Sequence, residues 1–84
     1  MQLEIFTPNE KVFSGEVTLV KVPGSSGSFE ILKNHAPIIS ALGEGELKFE
    51  TEAGEMVRYT ITSGVIEVKS NHIVALAESI LKVQ

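Results

Sequence analysis

Apolar residues along this chain come in short runs that alternate with polar ones, and glycine, proline, asparagine and serine punctuate the runs. A period of two over a few residues is the signature of a strand with one buried face. Leu3 and Ile5 alternate with Gln2 and Glu4. Thr7-Pro8-Asn9-Glu10 predicts a turn, because proline presets its own backbone angle and asparagine tolerates unusual ones. In the next strand Val17, Leu19 and Lys21 are expected on one face, with Thr18, Val20 and Val22 on the other. Pro23-Gly24-Ser25-Ser26-Gly27 ends that strand. Ser28 to Leu32 is expected to be short and extended.

The clearest hairpin follows. Leu47, Phe49 and Thr51 alternate with Lys48, Glu50 and Glu52; Val57, Tyr59 and Ile61 alternate with Arg58, Thr60 and Thr62. Ala53-Gly54 lies between them, with glycine supplying the positive backbone angle of a tight turn. One face should be core and the other solvated. Ser63-Gly64 breaks the chain before Val65-Ile66-Glu67-Val68, and Ser70-Asn71-His72 turns it into Ile73 to Glu78. Two segments fit either state on pattern alone. Asn34 could cap a short helix over Ala36 to Leu42, and Ile73, Leu76, Ala77, Ile80 and Leu81 fit helical as well as strand spacing. The whole predicts an all-β fold, a small antiparallel sandwich of short strands in one domain, residues 1–84.

Composition narrows the functions. The net charge is −4, and the seven basic residues are scattered, which argues against a general nucleic-acid binder. There is no cysteine, so no disulfide or thiol chemistry. No run approaches the roughly 20 apolar residues that span a bilayer. The start, Met1-Gln2-Leu3-Glu4, lacks the basic and apolar regions of a secretory signal.

Candidate chemistry is sparse. Of the two histidines, His35 and His72, neither sits in a ligand cluster at regular spacing, so no metal and no cofactor is expected. His35 is the better functional candidate because it lies in a loop before Pro37. No Gly-x-Ser-x-Gly elbow is present, and Gly24-Ser25-Ser26-Gly27 lacks the strand–elbow–helix setting. Neither that stretch nor Gly43-Glu44-Gly45 carries the Lys-Ser/Thr ending of a phosphate loop. Glu44 and Glu46 would repel an anion.

The stretch His35-Ala36-Pro37, then Ile38-Ile39-Ser40-Ala41-Leu42 and Gly45-Glu46-Leu47, resembles the N-terminal domain of the epsilon subunit of F-type rotary ATP synthases. Phe13-Ser14-Gly15-Glu16-Val17 resembles that family's Phe-Ser-Gly segment. Tyr59 to Val68, Asn71 and Val74 to Glu78 agree as well. The likeness runs in order from about Leu3 to Ile80. It implies a β-sandwich, with both ambiguous segments extended. It implies a non-catalytic rotor clamp that binds the gamma subunit and the ring of c subunits and couples ion flow to ATP synthesis. Its gamma-facing surface would fall near Thr7, His35, Ala36 and Ser40, and its ring-facing loop on Gly24, Ser25, Ser26, Gly27 and Ser28. The expected location is the cytoplasmic face of the bacterial inner membrane or its equivalent, peripheral and reached only through the complex.

There are departures. Where the family pattern has glycines, this chain has Glu30, Asn34 and Ser63. Asn34 is the easiest to accept, since asparagine visits the left-handed region readily. The family's C-terminal helical hairpin has no counterpart before Gln84, so no ATP site and no helical brake are expected in this short chain. Two other functions compete. A biotinyl- or lipoyl-type carrier would need a lysine at a hairpin tip, and Glu52-Ala53-Gly54-Glu55 has none. A hydrolase pairing His35 with a serine has only the availability of those residues behind it.

Overall fold

The computed structural model describes residues 1–83. The strands, in chain order, are β1 (Gln2–Phe6), β2 (Lys11–Val22), β3 (Phe29–Ile31), β4 (Ile38–Leu42), β5 (Gly45–Thr51), β6 (Met56–Ile61), β7 (Gly64–Lys69), β8 (His72–Ala77) and β9 (Ile80–Lys82). Among the described residues there is no helix. Ile38–Leu42 and His72–Ala77 are both strands, as the family resemblance implied.

The strands form one continuous hydrogen-bonded order, β4-β7-β8-β1-β2-β5-β6-β9, with β3 added to β2. This ribbon folds over itself into two layers, and β2 belongs to both. Lys11 to Glu16 pair with β1, while Val17 to Val22 pair with β5 and β3. The strand is twelve residues long, more than the short strand expected, because one strand serves two sheets.

The change of layer is made by a bulge. The register to β5 shifts between Val17 and Leu19. An extra residue in one strand bends it and resets which side chains face inward. Val17, Val20 and Val22 are therefore buried together, Thr18 is exposed, and Leu19 is only half-buried. The strict alternation expected for β2 is corrected here: Val17 joins Val20 and Val22 instead of Leu19 and Lys21. A second difference is that β1 and β8 run parallel, the one parallel pair among the described strands.

Turns behave as their residues dictate. Thr7 N–H donates to the Glu10 carbonyl at 2.9 Å and closes the first turn. Gly54 has φ of 85° at the tip of the β5–β6 hairpin. Ser70 and Asn71 have φ of 51° and 60°, a two-residue connection that matches the right-handed twist of its strands. Asn34 takes φ of 66°, so the asparagine occupies the left-handed region in place of glycine. Glu30 needs no glycine: it sits in β3, paired with Lys21.

The core lies between the layers. Leu3, Ile5, Ile66, Val68, Ile73 and Ala75 come from one sheet, and Val20, Val22, Ile31, Leu47, Phe49 and Ile61 from the other. Among the described residues no polar or charged side chain is buried. Burial of the large apolar side chains, each worth about 1.5–3 kcal/mol before chain entropy is set against it, holds the layers together.

Candidate functional site

Strand alternation gives each sheet an outer as well as an inner face. On the β4-β7-β8-β1 layer the outer face is unusually apolar. Ala41 is opposite Val65, Val65 opposite Leu76, and Leu76 opposite Phe6. The next row, one pleat along, is Ile39, Glu67, Val74 and Glu4. Ile39 is 74% exposed, Leu76 51% and Val65 42%, although each is a large aliphatic residue. Contiguous exposed apolar patches mark interaction surfaces, whereas scattered single residues do not.

The patch runs into a shallow groove of about 320 Å3 at one end of the layer. Phe6, Val65 and Leu76 line its floor, with Thr7-Pro8 on one rim and Ser63, Gly64 and Glu78 on the other. The groove is open and mainly apolar, and no titratable pair converges in it. That geometry suits the seating of a partner's side chain better than turnover of a small molecule.

A polar cluster borders the patch on β1 and β8. The Glu4 carboxylate lies 2.9 Å from His72 Nε2 and 3.4 Å from Lys11 Nζ. The hydrogen bond from His72 holds the Glu4 carboxyl below its ordinary range; partial burial pushes the other way, and Lys11 adds its own bond and charge. Because the folded value is depressed, the stabilisation is present above the unfolded-chain value and is lost as pH falls through the folded one. Carboxyl NMR of the folded chain should give Glu4 a lower midpoint than in the unfolded chain, and His72→Gln should raise it. An unmoved midpoint in that variant would refute the pairing.

The sequence-derived site residues fall in different places. Thr7 is on the groove rim. His35 and Ala36 lie before the opposite end of β4, some five residues or roughly 17 Å away along the strand. Ser40 is opposite the buried Ile66, on the inward side of β4. The structure therefore does not gather Thr7, His35, Ala36 and Ser40 into one cluster. His35 Nδ1 lies 2.7 Å from the Ala36 carbonyl oxygen, and among the described residues no serine hydroxyl pairs with the ring. The His35 loop is held in place by its neighbour: Asn34 N–H donates to Asn71 Oδ1 at 2.6 Å, and Asn71 Nδ2 donates to Asn34 Oδ1 at 2.9 Å.

The Gly24–Ser28 loop projects from the end of β2. Gly24 bridges to Leu42, Ser25 N–H donates to the Ala41 carbonyl at 3.0 Å, and Gly27 N–H donates back to Gly24 at 2.9 Å. Ser25, Ser26, Gly27 and Ser28 are exposed. The loop is anchored at its base and bare at its tip.

Sequence reasoning missed Phe6, Ile39, Val65 and Leu76. A signal was present: β4, β7 and β8 carry aliphatic residues on both faces, which a sheet with one solvated side would not require.

These features define a class, a two-layered β-sandwich that presents an apolar outer sheet face in place of an enclosed pocket. The chain belongs to the family described as ATP synthase, Delta/Epsilon chain, beta-sandwich domain, which it matches over residues 1–83. The ATP synthase epsilon chain of Pelotomaculum thermopropionicum is 38% identical over 78 residues, covering 93% of this chain and 58% of that one. That of Maridesulfovibrio salexigens is 47% identical over 77 residues, covering 90% and 53%. The chain thus spans little more than half the length of these relatives. The epsilon chain of Chlorobium limicola, 38% identical over 79 residues, is itself covered to 90%. Among solved structures, a chain of the Euglena gracilis mitochondrial ATP synthase, OSCP/F1/c-ring, shares the fold with a TM-score of 0.89 at 21% identity, covering 95% of this chain and 51% of that one. A chain of the Tetrahymena thermophila mitochondrial ATP synthase central stalk/c-ring does so at 0.77 and 19%, covering 96% and 65%.

Proposed function

We propose that this chain is the sandwich of a rotor-stalk subunit, whose apolar outer face docks on the gamma subunit and whose Gly24–Ser28 loop faces the c-ring. In this reading it is non-catalytic and transmits ion-driven rotation towards ATP synthesis. It sits peripherally, at the cytoplasmic face of an energy-transducing membrane. The row of exposed Val65 and Leu76 and half-buried Phe6, with exposed Ile39 beside it, carries the proposal. Family membership and a fold shared with a chain of an OSCP/F1/c-ring assembly and a chain of a central stalk/c-ring assembly support it. Thr7 lies at the groove end of the docking face, His35 and Ala36 beyond its other end, and Ser40 behind it. The anchored loop with small exposed side chains permits close backbone approach to a second partner. Among the described residues no helix is long and apolar enough to cross a membrane.

Calorimetry with the gamma subunit of the same organism tests the reading. A saturable one-to-one complex is expected. Leu76→Asp should weaken it by about a hundredfold, because a charge would be placed at the centre of a desolvated interface. The melting temperature should hardly change, since Leu76 is already half-exposed. Absence of binding by the folded wild-type chain would sink the proposal.

A further inference from the structure

The outer face carries two carboxylates in one row, and they differ in their surroundings. Glu4 has two partners of its own, the Lys11 ammonium at 3.4 Å and the His72 ring nitrogen at 2.9 Å. Glu67 has none within ion-pair distance among the described residues. Its cross-strand neighbours are Ile39 on one side and Val74 on the other. With Val65 and Leu76 they line the same shallow depression. Glu67 is thus an exposed carboxylate that faces the apolar patch on one side and, on the other, a depression it shares with Lys69, Ser70 and His72, with which it makes no ion pair.

While the face is open, water solvates this charge and it costs little. Once another macromolecule covers the patch, water is excluded. A carboxylate covered without a cation is strongly unfavourable, so a stable complex must supply one. We infer that the element of the partner covering this face carries an arginine or lysine that pairs with Glu67, inside a contact otherwise made of aliphatic side chains. This rests on the docking reading above and specifies the chemistry of the docked partner. An arginine suits the position better, because its planar fork holds a carboxylate bidentately and it is more weakly hydrated than an ammonium.

The competing source of a cation is this chain's own Lys69. It stands two residues along β7 on the same face, opposite His72, and makes no ion pair with Glu67 in the free chain. If docking swung Lys69 over Glu67, the partner would need no cation.

Binding of the purified gamma subunit to the whole chain distinguishes these cases, with Glu67→Gln, Glu67→Lys and Lys69→Gln compared against wild type. Both sites are exposed, so each of the three variants should keep the wild-type melting temperature. Glu67→Gln should weaken binding by about tenfold or more, and Glu67→Lys by more still, because it sets like charges together in a dry contact. Lys69→Gln should stay within about twofold. Raising the salt should weaken wild type more than Glu67→Gln. Affinity of Glu67→Gln equal to or tighter than wild type would overturn the inference. A loss in Lys69→Gln as large as that in Glu67→Gln would also overturn it, and would assign the cation to this chain. Failure of the wild type itself to bind would instead count against the docking proposal.

Discussion

Phe49→Ala is expected to lower the free energy of unfolding by about 3–5 kcal/mol. Phe49 is fully buried on β5, between Val20 of β2 and Val57 of β6. Its ring centroid lies 4.4 Å from that of Phe13 and 6.3 Å from that of Tyr59. Such aromatic neighbours add to the area term. Truncation removes the transfer energy of the ring and leaves a void that two rigid sheets cannot close. A domain of this size has a total stability on the order of 4–13 kcal/mol, so the loss is a large part of it. Urea unfolding followed by tyrosine fluorescence would measure the change. Phe49→Leu should lose clearly less, as it keeps most of the volume. A loss under about 1 kcal/mol for the alanine variant would mean that the core is not centred where the structure puts it.

The β5–β6 hairpin was fully legible from residue pattern. Leu47, Phe49, Tyr59 and Ile61 alternate cleanly and all are buried. That worked because both strands are regular and the turn residues between them are local. β2 was legible only in part: Val20 and Val22 were placed on one face, but Lys11 to Glu16 were not read as strand and Val17 was put on the other face. Nothing in Val17-Thr18-Leu19 announces a bulge, since bulging there depends on pairing with β5, a strand not yet made when the segment is read alone. The parallel pairing of β1 with β8 was invisible for the same reason: it joins residues some seventy apart, and either direction keeps Leu3 and Ile5 inward.

The candidate face was less legible still. Val65 and Leu76 are visibly apolar, but whether they look inward depends on where Ile66 and Ala75 look. Only the two-layered packing settles that. Family resemblance carried the sequence-derived site to His35 and Ser40, on one strand and its approach. The assembled sheet instead gathers Ile39, Val65, Leu76 and Phe6, whose nearness is a matter of register across four strands. Asn34 shows the opposite case. Its left-handed conformation is a local property, anticipated from the family's glycine at that position together with asparagine's tolerance of that region.

Gly64→Ala should destabilise the fold by about 3 kcal/mol, while Gly43→Ala should be neutral or slightly stabilising. Both glycines have backbone angles outside the left-handed region, so conformational freedom is not what either supplies. What differs is space. A methyl group at Gly64 would meet the carbonyl oxygen of Leu76 inside van der Waals contact and would lie 3.2 Å from the Ala77 Cα. Those atoms are backbone of β8, held in the β7–β8 and β1–β8 ladders, and they cannot step aside without breaking pairs. At Gly43 the nearest atom is the Ser25 Cα at 3.7 Å, an ordinary contact. Alanine there restricts the unfolded chain at no steric cost. The comparison also bears on docking, because Gly64 is opposite Ala77 at the start of β7 and sets the register that carries Val65 and Glu67 outward. A Gly64→Ala chain that still folds should therefore bind the gamma subunit more weakly than its stability alone accounts for. Thermal unfolding of the two variants, followed by calorimetry on whichever remains folded, tests this. Equal melting temperatures would show that β7 and β8 do not approach as closely at Gly64 as the structure has them.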